Sequence, residues 1–364
     1  MSSIFKYIDI QNLYYLTDGL TFKISECAGV IDAALVSLNK DTKIPDKICN
    51  WNRKSKASRV PLAFPGRGRI IVDVNQTFSE EKGMAYFAYI LEKKDEKESA
   101  PVVFFSMHSP TLDIPMRVEI PLRAIMKGGP SLRGTYSVYL HALITDTGEN
   151  YIYYGLTRRG WSNRFNEHMR SAFQDEPPRL FPQKIKELCD ARADQVYGLA
   201  VNKQNLIGIV SSICATGLSE NAAMDVEEYL VDKYSLSSKH LNGLNMIPGG
   251  WEGIRALHKL SPGRRPHTVE TQDREAILDE YLKTHPQLGK PKPGVAEKWN
   301  DPVYAEAVIC ARENRLNADQ VRKIRYLSAT GYNIAQIKMR VGAIDNGQVS
   351  RVLAGRTYSR IGGT

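Results

Sequence analysis

The sequence predicts an α+β protein in four parts. Residues 131–255 read as a small central antiparallel sheet flanked by helices, and residues 1–130 as a β-rich or α+β N-terminal domain of undetermined role. Residues 256–310 read as a proline-punctuated linker with short helices, and residues 311–364 as an all-α helix-turn-helix unit. Three observations carry this reading: two tyrosine-rich alternating segments meeting at a turn, helical apolar stripes on either side of a long connection, and three short stripes punctuated by glycine at the basic C terminus. At 364 residues with 42% hydrophobic content, the chain holds two or three domains with real cores.

The central part follows from alternation. Val138, Leu140 and Ala142 alternate with Ser137, Tyr139 and His141, the period of a strand with one buried and one polar face, which sets Tyr139 on the polar side. The run Asp146-Thr147-Gly148-Glu149-Asn150 tolerates tight turns and reverses the chain into a second strand over 151–156. Tyr151, Tyr153 and Gly155 share one face of that strand. Pairing the two strands sets the Tyr139 and Tyr153 phenols on the same side, and Gly155 leaves room for close approach to the backbone. Ser162 or Asn163 then caps a helix whose Phe165, Met169, Ala172 and Phe173 recur at core spacing, with Arg164 and His168 one turn apart on an adjacent face.

Further on, Ser219 opens a helical stretch in which Ala223, Val226 and Leu230 form an apolar stripe with Glu227 at its edge. The chain then reaches Leu241-Asn242-Gly243-Leu244-Asn245-Met246-Ile247-Pro248-Gly249-Gly250. In this order the residues resemble the GIY-YIG nuclease family. Ser137-Val138-Tyr139 stands where that family has its first triplet and Tyr153-Tyr154-Gly155 where it has its second, followed by Arg164 and His168. Glu227 matches the helix-borne glutamate by heading an E-x-x-x-V register, with Glu228 as the alternative, and Asn245 stands in the place of the closing asparagine. The resemblance spans residues 134–250. It departs from the family where Ser137 replaces the first glycine, where the connection between triplets is longer, and where residues 175–218 are expanded.

Hydrolysing a phosphodiester needs an activated water, neutralised phosphoryl oxygens and a stabilised leaving oxygen. A carboxylate such as Glu227 can hold one hard divalent cation, Mg²⁺ or Mn²⁺, and Arg164 can clamp a phosphate with paired N–H donors. A phenol accepts a proton from water only if nearby positive charge favours its phenolate, a field that Arg164, His168 and the metal would supply. The resemblance implies Tyr153 or Tyr139 as the base, His168 in proton relay or phosphate contact, and Asn245 in orientation.

The whole chain carries 49 basic and 40 acidic side chains, a net of +9, and residues 311–364 hold ten Lys or Arg against three Asp or Glu. Such a localised basic unit points to double-stranded DNA as the partner. Val321, Ile324 and Leu327 form one stripe there, Gly331 interrupts, Ile334 and Ile337 begin another, and Gly342 interrupts again. Asp345 or Asn346 caps a third helix that buries Val349 and Val352 or Leu353 and presents Gln348 and Arg351 outward. The unit is similar to the small helix-turn-helix modules appended to mobile-element and phage endonucleases, which makes Gln348 and Arg351 the candidates for base edges and Arg356 and Arg360 for phosphates.

Strands are expected over 70–74, 84–91 and 102–105, and the basic run Arg53-Lys54-Ser55-Lys56-Ala57-Ser58-Arg59 suits either phosphate contact or a solvated loop. Pro262, Pro266, Pro286, Pro291, Pro293 and Pro302 mark the linker around one helical stretch at 271–284. Five cysteines without a C-x-x-C pair suggest neither a disulfide framework nor structural zinc. With no span-length apolar run and no signal pattern, a cytoplasmic location without membrane association is expected.

The function expected from these features is metal-dependent, site-specific cleavage of DNA, of homing or mobile-element type. A type II restriction endonuclease is its near variant, and a noncatalytic DNA-binding regulator on a nuclease scaffold is the alternative from another class, which intact Glu227 and Arg164 oppose.

Overall fold

The computed structural model describes residues 4–54, 68–80, 83–96, 99–109, 112, 114–196, 205–288, 298, 301–311, 315–355, 357–358 and 361–362. The chain divides into two units, Met1–Lys290 and Pro291–Thr364.

The first unit is α+β, built on seven strands: β1 Arg69–Ser79, β2 Gly83–Lys93, β3 Val102–Ser109, β4 Ile114–Pro121, β5 Tyr136–Thr145, β6 Asn150–Thr157 and β7 Leu206–Leu218. They form one mixed sheet in the order β2-β1-β3-β4-β7-β5-β6. The antiparallel strands expected around the two tyrosine segments are present, but as one end of this larger sheet and not as a small sheet of their own. The join is β4 to β7, parallel, with Met116 opposite Ile209 and Val118 opposite Ser211. Residues 1–130 therefore share their sheet with the tyrosine strands. Their expected strands at 70–74, 84–91 and 102–105 lie in β1, β2 and β3.

Helices cover both faces. The N-terminal ones are α1 Ile10–Thr17, α2 Ile24–Thr42 and α3 Ile44–Lys54, and α4 Leu122–Ile125 follows β4. After β6 come α5 Trp161–Ala172 and α6 Leu180–Val196, and after β7 come α7 Glu220–Leu230, α8 Gly250–Leu260 and α9 Thr271–Leu282. The cluster on one face runs from Leu13, Ile31 and Leu35 against β1 and β3 to Phe165, Phe181 and Ile185 against β5 and β6. Alternation along the strands sends Val138 and Leu156 to the other face, where Ala223 and Met224 of α7 cover them. Both faces of β5 are thus buried, and the side read as polar is interior: Ser137, Tyr139 and His141 are each at most 2% exposed. Half the alternation reflects polar groups that find partners inside, such as Ser137 with Thr216 and His141 Nδ1 with Ser211 Oγ at 2.9 Å.

The second unit holds α10 Pro302–Cys310, α11 Ala318–Ala329, α12 Ile334–Val341 and α13 Asn346–Leu353. Val321, Ile324, Leu327, Ile337, Val349 and Val352 form its own core. Asn317 and Asn333 close capping boxes with Gln320 and Gln336, and Gly342 ends α12 at φ 68°. Asp345 caps α13 by accepting from Gln348 N–H. Two details differ from expectation. Ile334 sits in the first turn of α12 and is 38% exposed, outside the unit's core. Gln348 does not point outward, because its Oε1 turns back to accept the Ile344 N–H at 2.9 Å. Arg351 is exposed. Arg356 and Arg360 lie outside the described residues, as do residues 55–59 of the basic run. Among the described residues no helix is long and apolar enough to cross a membrane.

Candidate functional site

The register of β5 and β6 positions the two phenols. Tyr139 is opposite Gly155 and His141 opposite Tyr153, so all four share a face and the tyrosines are diagonal neighbours. Gly155 is required by contact: a Cβ there would stand 2.5 Å from the Tyr139 hydroxyl oxygen. Bulges where β5 pairs with β7 occur beside Val138 and Tyr139, a common way to re-aim a side chain.

Helix α5 lies over this face. It starts at Trp161 with Gly160 as its N-cap, so Ser162 and Asn163 are already helical. Ser162 donates instead to the Asp18 carbonyl, and the Trp161 indole donates to Leu16 O at 2.8 Å, which ties the helix to α1. One turn apart, Arg164 and His168 reach down onto the phenols. The His168 ring meets Tyr153 edge-on with centroids 4.9 Å apart, and Phe181 of α6 stacks on Tyr153 at 4.7 Å. None of these four polar residues is more than 4% exposed.

Glu227 arrives from the other face. Ser219 caps α7 through Ala222 N–H, which sets Ala223, Met224 and Glu227 inward. Glu228 is half-buried and accepts from Glu252 N–H at 2.9 Å, so of the two glutamates Glu227 alone enters the site. The Pro-Gly-Gly sequence explains the close crossing of α7 and α8. Gly250 has φ 53°, a Cβ there would strike the Met224 carbonyl, and its N–H donates to Glu227 Oε2 at 2.8 Å. Asn245 ties the backbone together: its Nδ2 donates to Tyr154 O at 2.8 Å and its Oδ1 accepts from Tyr154 N–H and from Ser235. It holds the β6 edge in place and orients Tyr153 through the adjoining residue.

The remaining occupant is α9, in the segment read as linker. Its Thr271 hydroxyl accepts from Leu156 N–H at 2.9 Å and is within hydrogen-bond distance of Leu156 O and Glu227 Oε1, so the helix begins against the open edge of β6. From there it contributes Arg274, whose Nη2 donates to Glu227 Oε2 at 2.6 Å. The next residue, Glu275, accepts from the Tyr153 hydroxyl at 2.6 Å and pairs with Arg164 and Arg179. Arg179 also lies 2.9 Å from Asp279, in ion-pair range although not in hydrogen-bond geometry. Tyr153, Arg179, Glu227, Asn245, Arg274 and Glu275 line a cavity of about 40 Å³, enough for a few waters and not for a phosphodiester.

Burial sets the charge states. It pushes both phenols well above the ordinary tyrosine range, with Arg164 opposing and Glu275 reinforcing the shift. It drives His168 far down, so this ring is neutral and adds no positive field to the phenols. Burial alone would raise Glu275, but Arg179 and then Arg164 outweigh it and hold the carboxylate ionised. The Tyr139 hydroxyl, the His141 Nε2 and both ring nitrogens of His168 are among the buried polar atoms of the site without a well-formed hydrogen bond to the described residues. In this arrangement burial outweighs Arg164, and a phenolate is not favoured.

Nor does a metal fit. The Glu227 carboxylate accepts from Arg274, Thr271 and Gly250, which leaves it neutralised and enclosed, and among the described residues no group of three acidic, His or Cys side chains could hold an ion. Sequence reading brought Tyr139, Tyr153, Arg164, His168, Glu227 and Asn245 to one place; it missed Arg179, Thr271, Arg274 and Glu275. Their signal was present as a helical stripe, since Thr271, Arg274, Glu275, Leu278 and Leu282 are all buried at that spacing, but with charged residues inside it. No family model, no curated protein and no solved structure matches the chain.

Proposed function

We propose that the chain is a site-specific endonuclease that hydrolyses phosphodiester bonds of double-stranded DNA, of homing or mobile-element type. One observation supports this above others: residues from four separated segments, Tyr139, Tyr153, Arg164 with His168, and Glu227, gather around a single edge strand. A phosphate entering this place would meet the Arg164 guanidinium in bidentate reach and the phenols beside it. His168 has no hydrogen-bond partner among the described residues and could contact a bound phosphate, and it would take up a proton only where that added negative charge offsets the burial that lowers it. Arg351 of the C-terminal unit is exposed on α13 and suits contact with base edges, while Gln348 serves its own helix. Dependence on Mg²⁺ or Mn²⁺ belongs to this reading only for a state in which Arg274 has left Glu227.

A second reading is a noncatalytic DNA-binding regulator. The Arg274–Glu227 pair favours it, because it occupies the one carboxylate that the chemistry would need. Incubating the full chain with supercoiled plasmid carrying its target, in Mg²⁺ and in EDTA, separates the two. Nicking or linearisation that EDTA stops is expected of the endonuclease, and shifted but intact DNA under every condition is expected of the regulator.

A further inference from the structure

Helix α9 brings one acid and one base to the site at consecutive positions, and the acid carries the charge of a group that phosphodiester chemistry would bring. Glu275 is an anion held by two guanidiniums and a phenol: Arg164 and Arg179 both pair with Oε2, and Tyr153 donates to Oε1. Arg274 is a cation on the Glu227 carboxylate. We propose that α9 is a displaceable plug whose Glu275 occupies the seat of a phosphate, with Arg274 securing the plug on Glu227, and that Arg179 is a second phosphate ligand beside Arg164. The proposal rests on the hydrolase reading above and adds to it a residue and a regulation.

Three features support displacement. First, the cavity beside the plug is too small for substrate, so DNA reaches Arg164 only if α9 withdraws. Second, the Tyr139 hydroxyl and both His168 nitrogens are fully buried without hydrogen bonds, an arrangement left incomplete by the seated helix and completed by a ligand with more acceptors than one carboxylate. Third, the helix is held largely by charge. Buried ion pairs return little net stability once desolvation is counted, so a ligand presenting the same negative charge can replace the Glu275 carboxylate at small cost. The apolar hold is one small cluster, Leu278 and Leu282 on Met246 and Leu257 with Leu180, Ile247, Ile277 and Leu288 around them. At its start, Glu270 accepts from Thr157 and Arg158 and Thr271 bridges Leu156 to Glu227, which makes that end the natural pivot.

The test uses the full chain with inorganic phosphate as probe, so that binding is read independently of cleavage. Glu275→Ala empties the seat and keeps both guanidiniums. Its unfolding temperature should rise with phosphate at an apparent affinity at least tenfold tighter than in the parent chain, and adding Arg179→Ala should remove that gain. Leu278→Ala with Leu282→Ala loosens α9 without touching a charged group. Amide exchange over 271–282 should quicken, and phosphate binding should tighten by a similar factor. Equal phosphate affinity in the parent, Glu275→Ala and the leucine variant would overturn the plug, and a gain indifferent to Arg179→Ala would remove Arg179 from the seat. Plasmid cleavage in Mg²⁺ is scored separately. A phosphate gain with no cleavage in any variant keeps the seat and removes the hydrolase, whereas parent cleavage as fast as in the leucine variant keeps the hydrolase and removes the plug.

Discussion

Arg274 donates to Glu227 across 2.6 Å, and neither side chain exposes more than 3% of its surface. A buried pair of this kind is strongly coupled: each partner is tolerated inside because the other is there. The glutamate that the proposed chemistry requires is therefore also a structural residue, and its substitution has two readouts.

Glu227→Gln keeps the volume and leaves Arg274 as an uncompensated buried charge. The expected result is loss of plasmid cleavage together with a fall in unfolding free energy of about 3 kcal/mol, read from urea denaturation. Glu228→Gln is the control. Its carboxylate is half-exposed, so cleavage should persist and stability should change by less than about 1 kcal/mol. Cleavage at the parental rate by Glu227→Gln would remove it from the chemistry.

The two phenols should separate in stability. The Tyr153 hydroxyl donates to the Glu275 carboxylate at 2.6 Å, a bond to a charged acceptor, so Tyr153→Phe should cost about 2 kcal/mol. The Tyr139 hydroxyl forms no well-formed hydrogen bond, so Tyr139→Phe should be near neutral in the same measurement. Single-turnover cleavage rates then identify the base as the phenol whose removal slows turnover most. Equal stability costs for both substitutions would contradict the assigned hydrogen bonds.

Acid should destabilise the first unit through His141. Burial, with Arg164 adding to it, lowers this imidazole to about 3. Tyr139, Tyr153, His168, Trp161, Phe165 and Phe181 are its ring neighbours and offer it no anion. A folded value below the unfolded one means that only the unfolded chain takes up the proton between roughly pH 6.5 and 3. Stability is full above the unfolded pKa and is lost as pH falls below it, by up to about 1.4 kcal/mol per pH unit from this group. His141→Asn, which retains an acceptor or donor for Ser211, should flatten the urea midpoint between pH 7 and pH 5. An unchanged pH slope would mean that His141 is not held neutral.

The C-terminal unit has its own core, so deleting residues 315–364 removes no residue of the first unit's core. The truncated chain should keep its fold and lose much of its salt-sensitive DNA affinity, with a shallower dependence of binding on salt. Within the unit, Arg351→Ala should relax site choice with little effect on stability. Gln348→Ala should act the other way, costing about 1 kcal/mol through its lost bond to Ile344 N–H. Unchanged affinity and selectivity after truncation would place recognition elsewhere.

Much was legible before any tertiary structure. The strands at 137–156 showed themselves by alternation, their shared face followed from pairing, and the caps at Ser219 and Asp345 lie where a small polar residue precedes an apolar stripe. These are local signals, carried by neighbours within one or two turns of chain. What alternation could not report was which polar residues would be covered. Tyr139 and His141 read as a solvent-facing row, yet α5 and α6 lie over them.

The sequence by itself determined the two tyrosine strands, their shared face and the charged side chains on the helices beside them. Only the tertiary structure decided that β4 joins β7 into one sheet of seven, and that a helix read as linker closes the site. The reason is physical. Arg274 and Glu227 are 47 positions apart, and Glu275 and Arg164 are 111 apart. The sign of a charge is written in the residue, but its partner is chosen by where the chain folds back, and no periodicity along the chain encodes that choice.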